Sequence, residues 1–376
     1  MTEKENNRKT MIRWPGKEEI NTSRLYNLDL LKALAIVCMI LCHCVLMLGV
    51  HHDGYEKDIL YFFGDVVLGD YIAVAHAFMF AMGVGFVFTN KKAPADLIKR
   101  GIKIFLLGYI LNFFRYGIYA LIEGVISGEF EPQTLEALFG PDIFHFAGLA
   151  MILTGVLKKL RLNEAHILFI GILMSAAGSF LVLIDTGNYV ENLLLGHVIT
   201  TTEDTSCFAL LNWYIFVAAG MMFGVIVRRV ENAGVFYKRL LAVSGIVSAI
   251  YIALTFRLGI LFLTKQSFYY AVGTPDAIGL LCTDLFLISA FYYIIKKFGV
   301  SKFKTEIEMS KNLTVIYIIQ WCVIGFTDSV FGYVLEYDFP YYFIYPFGFM
   351  LIVASFYLAR LWNKHKNKKS ASPILL

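Results

Sequence analysis

Ten long apolar runs dominate this sequence and leave few folds open to it. A helix needs about 20 mostly apolar residues to cross a bilayer. Runs of that kind lie near 28–50, 70–89, 101–122, 143–158, 164–184, 208–227, 240–262, 276–296, 311–329 and 341–361. A shorter apolar stretch, 58–69, reads as a re-entrant or interfacial helix ahead of the second span. In lipid every backbone polar group must be satisfied within the protein, so only helix bundles and closed barrels span membranes. Barrel strands would be about 10 residues long with strict alternation, a pattern the runs do not follow. The expectation is an all-α, polytopic membrane bundle of about ten transmembrane helices. Composition agrees, because only 16% of the 376 residues are charged and 58% are hydrophobic, where a soluble domain carries about 25% charge. The segments divide into a polar tail at 1–27, a transmembrane domain at 28–362 and a basic tail at 363–376. The polar start and the length of the first apolar run argue against a cleaved signal peptide.

Lysine and arginine set the expected orientation. The first tail holds Arg8, Lys9, Arg13 and Lys17, and NKKAPADLIKRGIK before the third span holds five basic residues. KKLRL, RRVENAGVFYKR, KKFGVSKFK and RLWNKHKNKK continue the series on alternate loops. The loops between them, among them HHDGYEKD and DSVFGYVLEYDFP, are acidic or neutral. Both termini are therefore expected in the cytoplasm of a cell-membrane protein. The net charge of +4 is parcelled among these loops, so no nucleic-acid surface is expected. Five of the six cysteines lie in apolar runs and Cys207 sits alone at a span edge, which offers no disulfide framework and no metal site. Homo-oligomerisation is left open.

The first span, RLYNLDLLKALAIVCMILCHCVLMLG (24–49), carries ionisable residues where lipid would exclude them. At 100° and 1.5 Å per residue, Lys32 and His43 share one face, and Asp29 lies within one residue's rotation of it. Intramembrane ionisable groups normally face a bundle interior or a wet cavity. His43 then either makes one hydrogen bond to a neighbouring helix or takes part in chemistry.

The spacing of Arg24, Leu28-Asp29, Lys32-Ala33 and His43 resembles that of the transmembrane acyltransferases, namely the acyltransferase-3 family and the heparan-α-glucosaminide N-acetyltransferase-like proteins. Those proteins typically have Arg-Gly where this chain has Lys32-Ala33, and many have His where it has Gln320. AHAFMFAMGVGFVF (75–88), IKRGIKIFLLGYILNFFR (98–115), DIFHFAGLAMILTGVLKKL (142–160), NWYIFVAAGMMFGVIVRR (212–229) and MSKNLTVIYIIQWCVIG (309–325) extend the similarity over most of the chain. The resemblance implies a bundle that takes an acyl group, acetyl above all, from cytoplasmic acyl-CoA to a hydroxyl or amine of a carbohydrate-type acceptor at the opposite face. It also makes His52 or His51, in the loop after the first span, the rival of His43. No metal enters such a scheme.

The residues suit that scheme on their own terms. Acyl transfer needs a base for the acceptor proton, and imidazole is the commonest. Coenzyme A phosphates need cations, for which Lys99, Arg100 and Lys103, spaced over one turn, are candidates, and Arg24, Asp29 and Lys32 are further candidates for the donor site. Ordinary membrane anchoring explains the same lysines. Asp70, at the head of the second span, either orients a histidine or serves as a helix N-terminal anion, and its spacing from His76 argues against a pair. Asp142 and His145, at i and i+3, form a second candidate acid–base unit or an interfacial cap. Arg115, on the same side as Glu123, either binds an anionic acceptor or neutralises a carboxylate such as Asp142. Asp276 and Asp284 share a face of the eighth span. A proton-coupled secondary transporter or flippase of a small polar or glycan substrate is the alternative, with Asp284, Asp142–His145 and His43 as its relay. The lack of mid-span prolines and of an internal repeat weighs against it.

Overall fold

The structure is a computed structural model that describes residues 19–49, 58–71, 75–89, 93–128, 138–258, 269–335 and 337–371. Each of the ten apolar runs is helical within those limits. In chain order, α1 is Tyr26–Leu48, and α2 is Ile59–Phe62, which runs on into π-helical turns at Phe63–Tyr71. Next come α3 (Ala75–Phe88) and α4 (Pro94–Asn112), then a π-helical turn at Phe113–Gly117 that leads into α5 (Ile118–Ser127). Beyond these lie α6 (Ile143–Lys159), α7 (Glu164–Phe180) and the short α8 (Tyr189–Leu195). Four more follow: α9 (Leu210–Arg229), α10 (Ala233–Leu258), α11 (Thr274–Phe298) and α12 (Lys304–Lys311). The last are α13 (Leu313–Asp328), with a π-helical extension at Ser329–Val334, and α14 (Tyr341–Ala371).

Seven of these helices are long and apolar enough to cross a membrane, counting Pro94–Ser127 as one. The three others that match predicted spans, α3, α6 and α7, have 14, 17 and 17 residues, or roughly 21–26 Å against a hydrocarbon core of about 30 Å. For α7 the apolar run continues to 184, past the helix end at Phe180, so hydropathy overstates the length of that helix. Side-chain caps fix two of those ends: the Asp142 carboxylate accepts from the Phe144 amide at 3.0 Å, and the Asn163 amide oxygen accepts from the His166 amide at 3.1 Å. Both satisfy amides that a helix start leaves without partners.

The hub is α1, which packs against α3, α11, α12, α13, α14 and the turns after α2. Its Leu31, Ile36 and Ile40 are wholly buried. A second apolar core forms around α9, where Trp213, Phe216 and Met221 meet α3 and α7. Glycines let the backbones of α3 and α9 touch. A Cβ on Gly83 would lie 2.0 Å from the Val217 carbonyl oxygen, and one on Gly220 would lie 2.0 Å from that of Phe80. Close approach through small residues is the usual means by which helices associate where lipid supplies no hydrophobic drive.

Candidate active site

His43 points from α1 toward α13. Its Nδ1 lies 3.1 Å from the Gln320 amide nitrogen and 3.3 Å from the amide oxygen, and its ring stacks on Trp321 at 4.3 Å. If Nδ1–H donates to the amide oxygen, Nε2 keeps a lone pair and is a base. If the amide donates instead, Nε2 carries the proton. Taken as a whole residue, His43 is partly buried.

Trp321 also receives Arg115, whose guanidinium carbon sits 4.4 Å from the indole centroid. Arg115 lies in the π-helical turn between α4 and α5. The wider turn changes the helix phase and aims the guanidinium at α6. There Arg115 Nη1 donates to Asp142 at 3.0 Å, while Nη2 donates to Asn112 Oδ1 at 2.9 Å. Asn112 in turn donates to the Gly140 carbonyl at 2.8 Å, which pins the loop before α6. Tyr317 completes the set by donating to Asp142 at 2.8 Å. Asp142 is thus fully engaged by Arg115, Tyr317 and its own helix cap. A buried carboxylate needs this degree of satisfaction to remain charged.

His145 is expected from spacing to touch Asp142, and the structure corrects this. Asp142 faces Arg115 and Tyr317, and neither ring nitrogen of His145 has a hydrogen-bond partner among the described residues although the residue is wholly buried. Its ring instead lies 4.2 Å from Tyr109, 5.1 Å from Phe105 and 5.3 Å from His197. His43 and Arg115 lie on the same indole, Trp321, and His145 stands one turn after Asp142 at the start of α6, so both imidazoles border one polar centre.

The other sequence candidates separate. Asp29 accepts from Arg24 through both oxygens, at 2.6 and 2.8 Å, and from Ser310 at 2.7 Å, with Lys32 at 3.3 Å. Beside this ion cluster is a cavity of about 330 Å³ whose wall includes Arg24, Lys296 and the stacked rings of Tyr237 and Tyr292. Lys99, Arg100 and Lys103 are exposed on α4 and do not line this cavity. Asp70 lies in the π-helical turns after α2, and its side chain is outside the described residues, as are His51 and His52.

His76 and Asp284, unpaired in the sequence reading, find each other: Nδ1 is 3.0 Å from Oδ1, with both side chains fully buried. Sequence reasoning also missed Asn112, Tyr317 and Trp321. Tyr317, Gln320 and Trp321 stand at i, i+3 and i+4 on α13, the spacing of one helix face. That polar and aromatic face in an apolar run was the available signal.

Two comparisons are empty: no curated protein and no solved structure matches the chain. A family model described as heparan-alpha-glucosaminide N-acetyltransferase, catalytic, matches residues 24–264. That stretch holds His43, Asn112, Arg115, Asp142 and His145, while Tyr317, Gln320 and Trp321 complete the same centre from beyond it. The match covers well over half of the 376 residues, and the chain belongs to this family of multi-pass membrane N-acetyltransferases.

Proposed function

We propose that the protein transfers an acetyl group from cytoplasmic acetyl-CoA to the amine of a glucosamine-type carbohydrate at the opposite membrane face. The observation that carries this reading is His43. It is an imidazole of the family-matched stretch, it keeps partial access, and a neutral amide on Nδ1 is its only hydrogen-bond partner among the described residues.

In this reading the acceptor nitrogen attacks the thioester carbonyl carbon, and His43 Nε2 takes the proton that the nitrogen must lose. Collapse of the tetrahedral adduct breaks the carbon–sulfur bond. The proton held by His43 then passes to the departing thiolate, so acetylated amine and free CoA leave with atoms in balance. General-base assistance of this kind contributes about 10²- to 10⁴-fold. Arg115, fixed by Asp142 and Asn112, holds Trp321 and through it the imidazole. His145 is the second candidate base on the same centre, with His52 and Asp70 retained from the sequence. The donor's phosphates suit the basic end of the bundle, where Arg24, Asp29 and Lys32 form their cluster beside the cavity and Lys99, Arg100 and Lys103 are solvent-facing cations. Both termini lie on that side in this proposal.

The test uses the protein in sealed proteoliposomes with radiolabelled acetyl-CoA outside and a glucosamine oligosaccharide inside. Labelled oligosaccharide in the lumen is the expected product. Movement of the oligosaccharide across the bilayer without any acyl donor would replace the transferase with the transporter reading.

A further inference from the structure

A groove at one end of the bundle is not used by the proposed chemistry and lies beyond the family-matched stretch. It encloses about 820 Å³ between α12 and α14, and its charged lining is Lys304, Lys311, Arg360 and Lys364 with a single carboxylate, Glu308. Glu308 is taken by Arg360 at 3.1 Å. No carboxylate among the described residues forms an ion pair with the three lysines.

The cations are brought together by helix geometry. Lys304 and Lys311 are seven residues apart on α12, two turns on one face and roughly 10 Å along the axis. Arg360 and Lys364 are at i and i+4 on α14, which also places them side by side. Asn363 donates to Asn312 across the gap and ties the two helices together at this point. Like charges held so close repel, and an anion between them relieves the repulsion.

The surroundings select the kind of anion. Upstream on α14, Val353, Tyr357 and Leu361 are 56%, 54% and 62% exposed and form an apolar stripe. The stripe ends at Trp362, 63% exposed, the residue type enriched at the membrane–water boundary. Exposed Lys364, His365 and Lys366 follow immediately. The groove therefore opens where lipid gives way to water. We propose that it binds the phosphate headgroup of an anionic phospholipid, whose acyl chains lie along the α14 stripe.

Basic loops also attract anionic leaflets diffusely, and the experiment separates the two effects. The full-length protein, purified from nanodiscs containing phosphatidylcholine and phosphatidylglycerol, is examined by native mass spectrometry. Wild type is expected to retain one phosphatidylglycerol in preference to phosphatidylcholine. Replacement of Lys304, Lys311, Arg360 and Lys364 by Gln should lower that retention at least roughly 10-fold. Replacement of Lys238, Lys297, Lys302 and Lys366 by Gln removes the same charge outside the groove and should leave retention intact. Equal loss in both variants would overturn the site in favour of diffuse attraction. A wild type with no preference for phosphatidylglycerol would overturn it without reference to any variant. Displacement of the lipid by millimolar inorganic phosphate would assign the groove to a soluble anion and also overturn the proposal.

Discussion

His43 and His76 are both imidazoles inside apolar helices, and the bundle treats them in opposite ways. His76 of α3 has no exposure and an acidic partner, Asp284, on α11. Its Nε2 and the Oδ2 of Asp284 have no hydrogen-bond partner among the described residues. His43 keeps partial access and a neutral amide partner that fits either tautomer. The arginine beside it, Arg115, sits in a π-helical turn, a distortion frequent at functional sites. A proton-transferring group needs a route to substrate and a partner that does not lock its charge. A group buried with one fixed hydrogen-bond partner and no access serves the fold.

The comparison is broken most sharply at the level of activity. His43→Ala is expected to lower the acetyl-transfer rate by about 10²- to 10⁴-fold with little change in thermal unfolding in nanodiscs. If transfer survives, the base is another histidine, and His145→Ala and His52→Ala become the deciding variants.

Asp284→Ala is expected to do the reverse. It leaves His76 in a dry site without its hydrogen-bond partner, and a buried polar group left unsatisfied costs about 1–3 kcal/mol. The double variant His76→Leu/Asp284→Leu removes both polar groups and should be closer to wild type in unfolding than Asp284→Ala. Transfer per folded molecule should persist in the double variant. A double variant that is fully folded and inactive would move this pair from structure into chemistry.

The contact between α3 and α9 is tested next. Gly83→Ala pushes a methyl group into the Val217 carbonyl and should cost about 1–3 kcal/mol, the range for overpacking. Gly85→Ala meets nothing within 4 Å and is the matched control.

The smallest effect is a pH dependence at His197, in the segment between α7 and α9. Burial lowers its pKa from the ordinary 6.5, and its Nδ1 lies 3.1 Å from the Leu193 carbonyl oxygen. The unfolded chain takes up a proton near 6.5 and the folded chain resists. Folded stability therefore falls as pH drops through 6.5 and levels off below the folded value, by up to about 1.4 kcal/mol per unit of displacement. His197→Gln should flatten that part of the unfolding curve, and an unchanged acid limb would exclude the histidine as its source.

Much of this arrangement is legible before any coordinates. Apolar runs locate the helices, and the helical repeat puts Asp29 and Lys32 on one face, where they meet at 3.3 Å. The same reasoning offers Asp142 as a carboxylate for Arg115 to neutralise, and the two do pair. It fails at the i, i+3 pair Asp142–His145, because proximity along one helix does not decide which partner a side chain takes. Asp142 has a stronger competitor in Arg115.

The chain alone determined an all-helical membrane protein, since apolar length and period are local properties that survive in one dimension. Only the tertiary structure decided the partners. His43 meets Gln320 across 277 positions, Asp284 meets His76 across 208, and Tyr317 meets Asp142 across 175. The helical repeat says which residues share a face, but which faces meet depends on how neighbouring helices pack. Here that is set by glycine contacts between backbones and by π-helical turns that shift the helix phase, and neither appears in a hydropathy pattern.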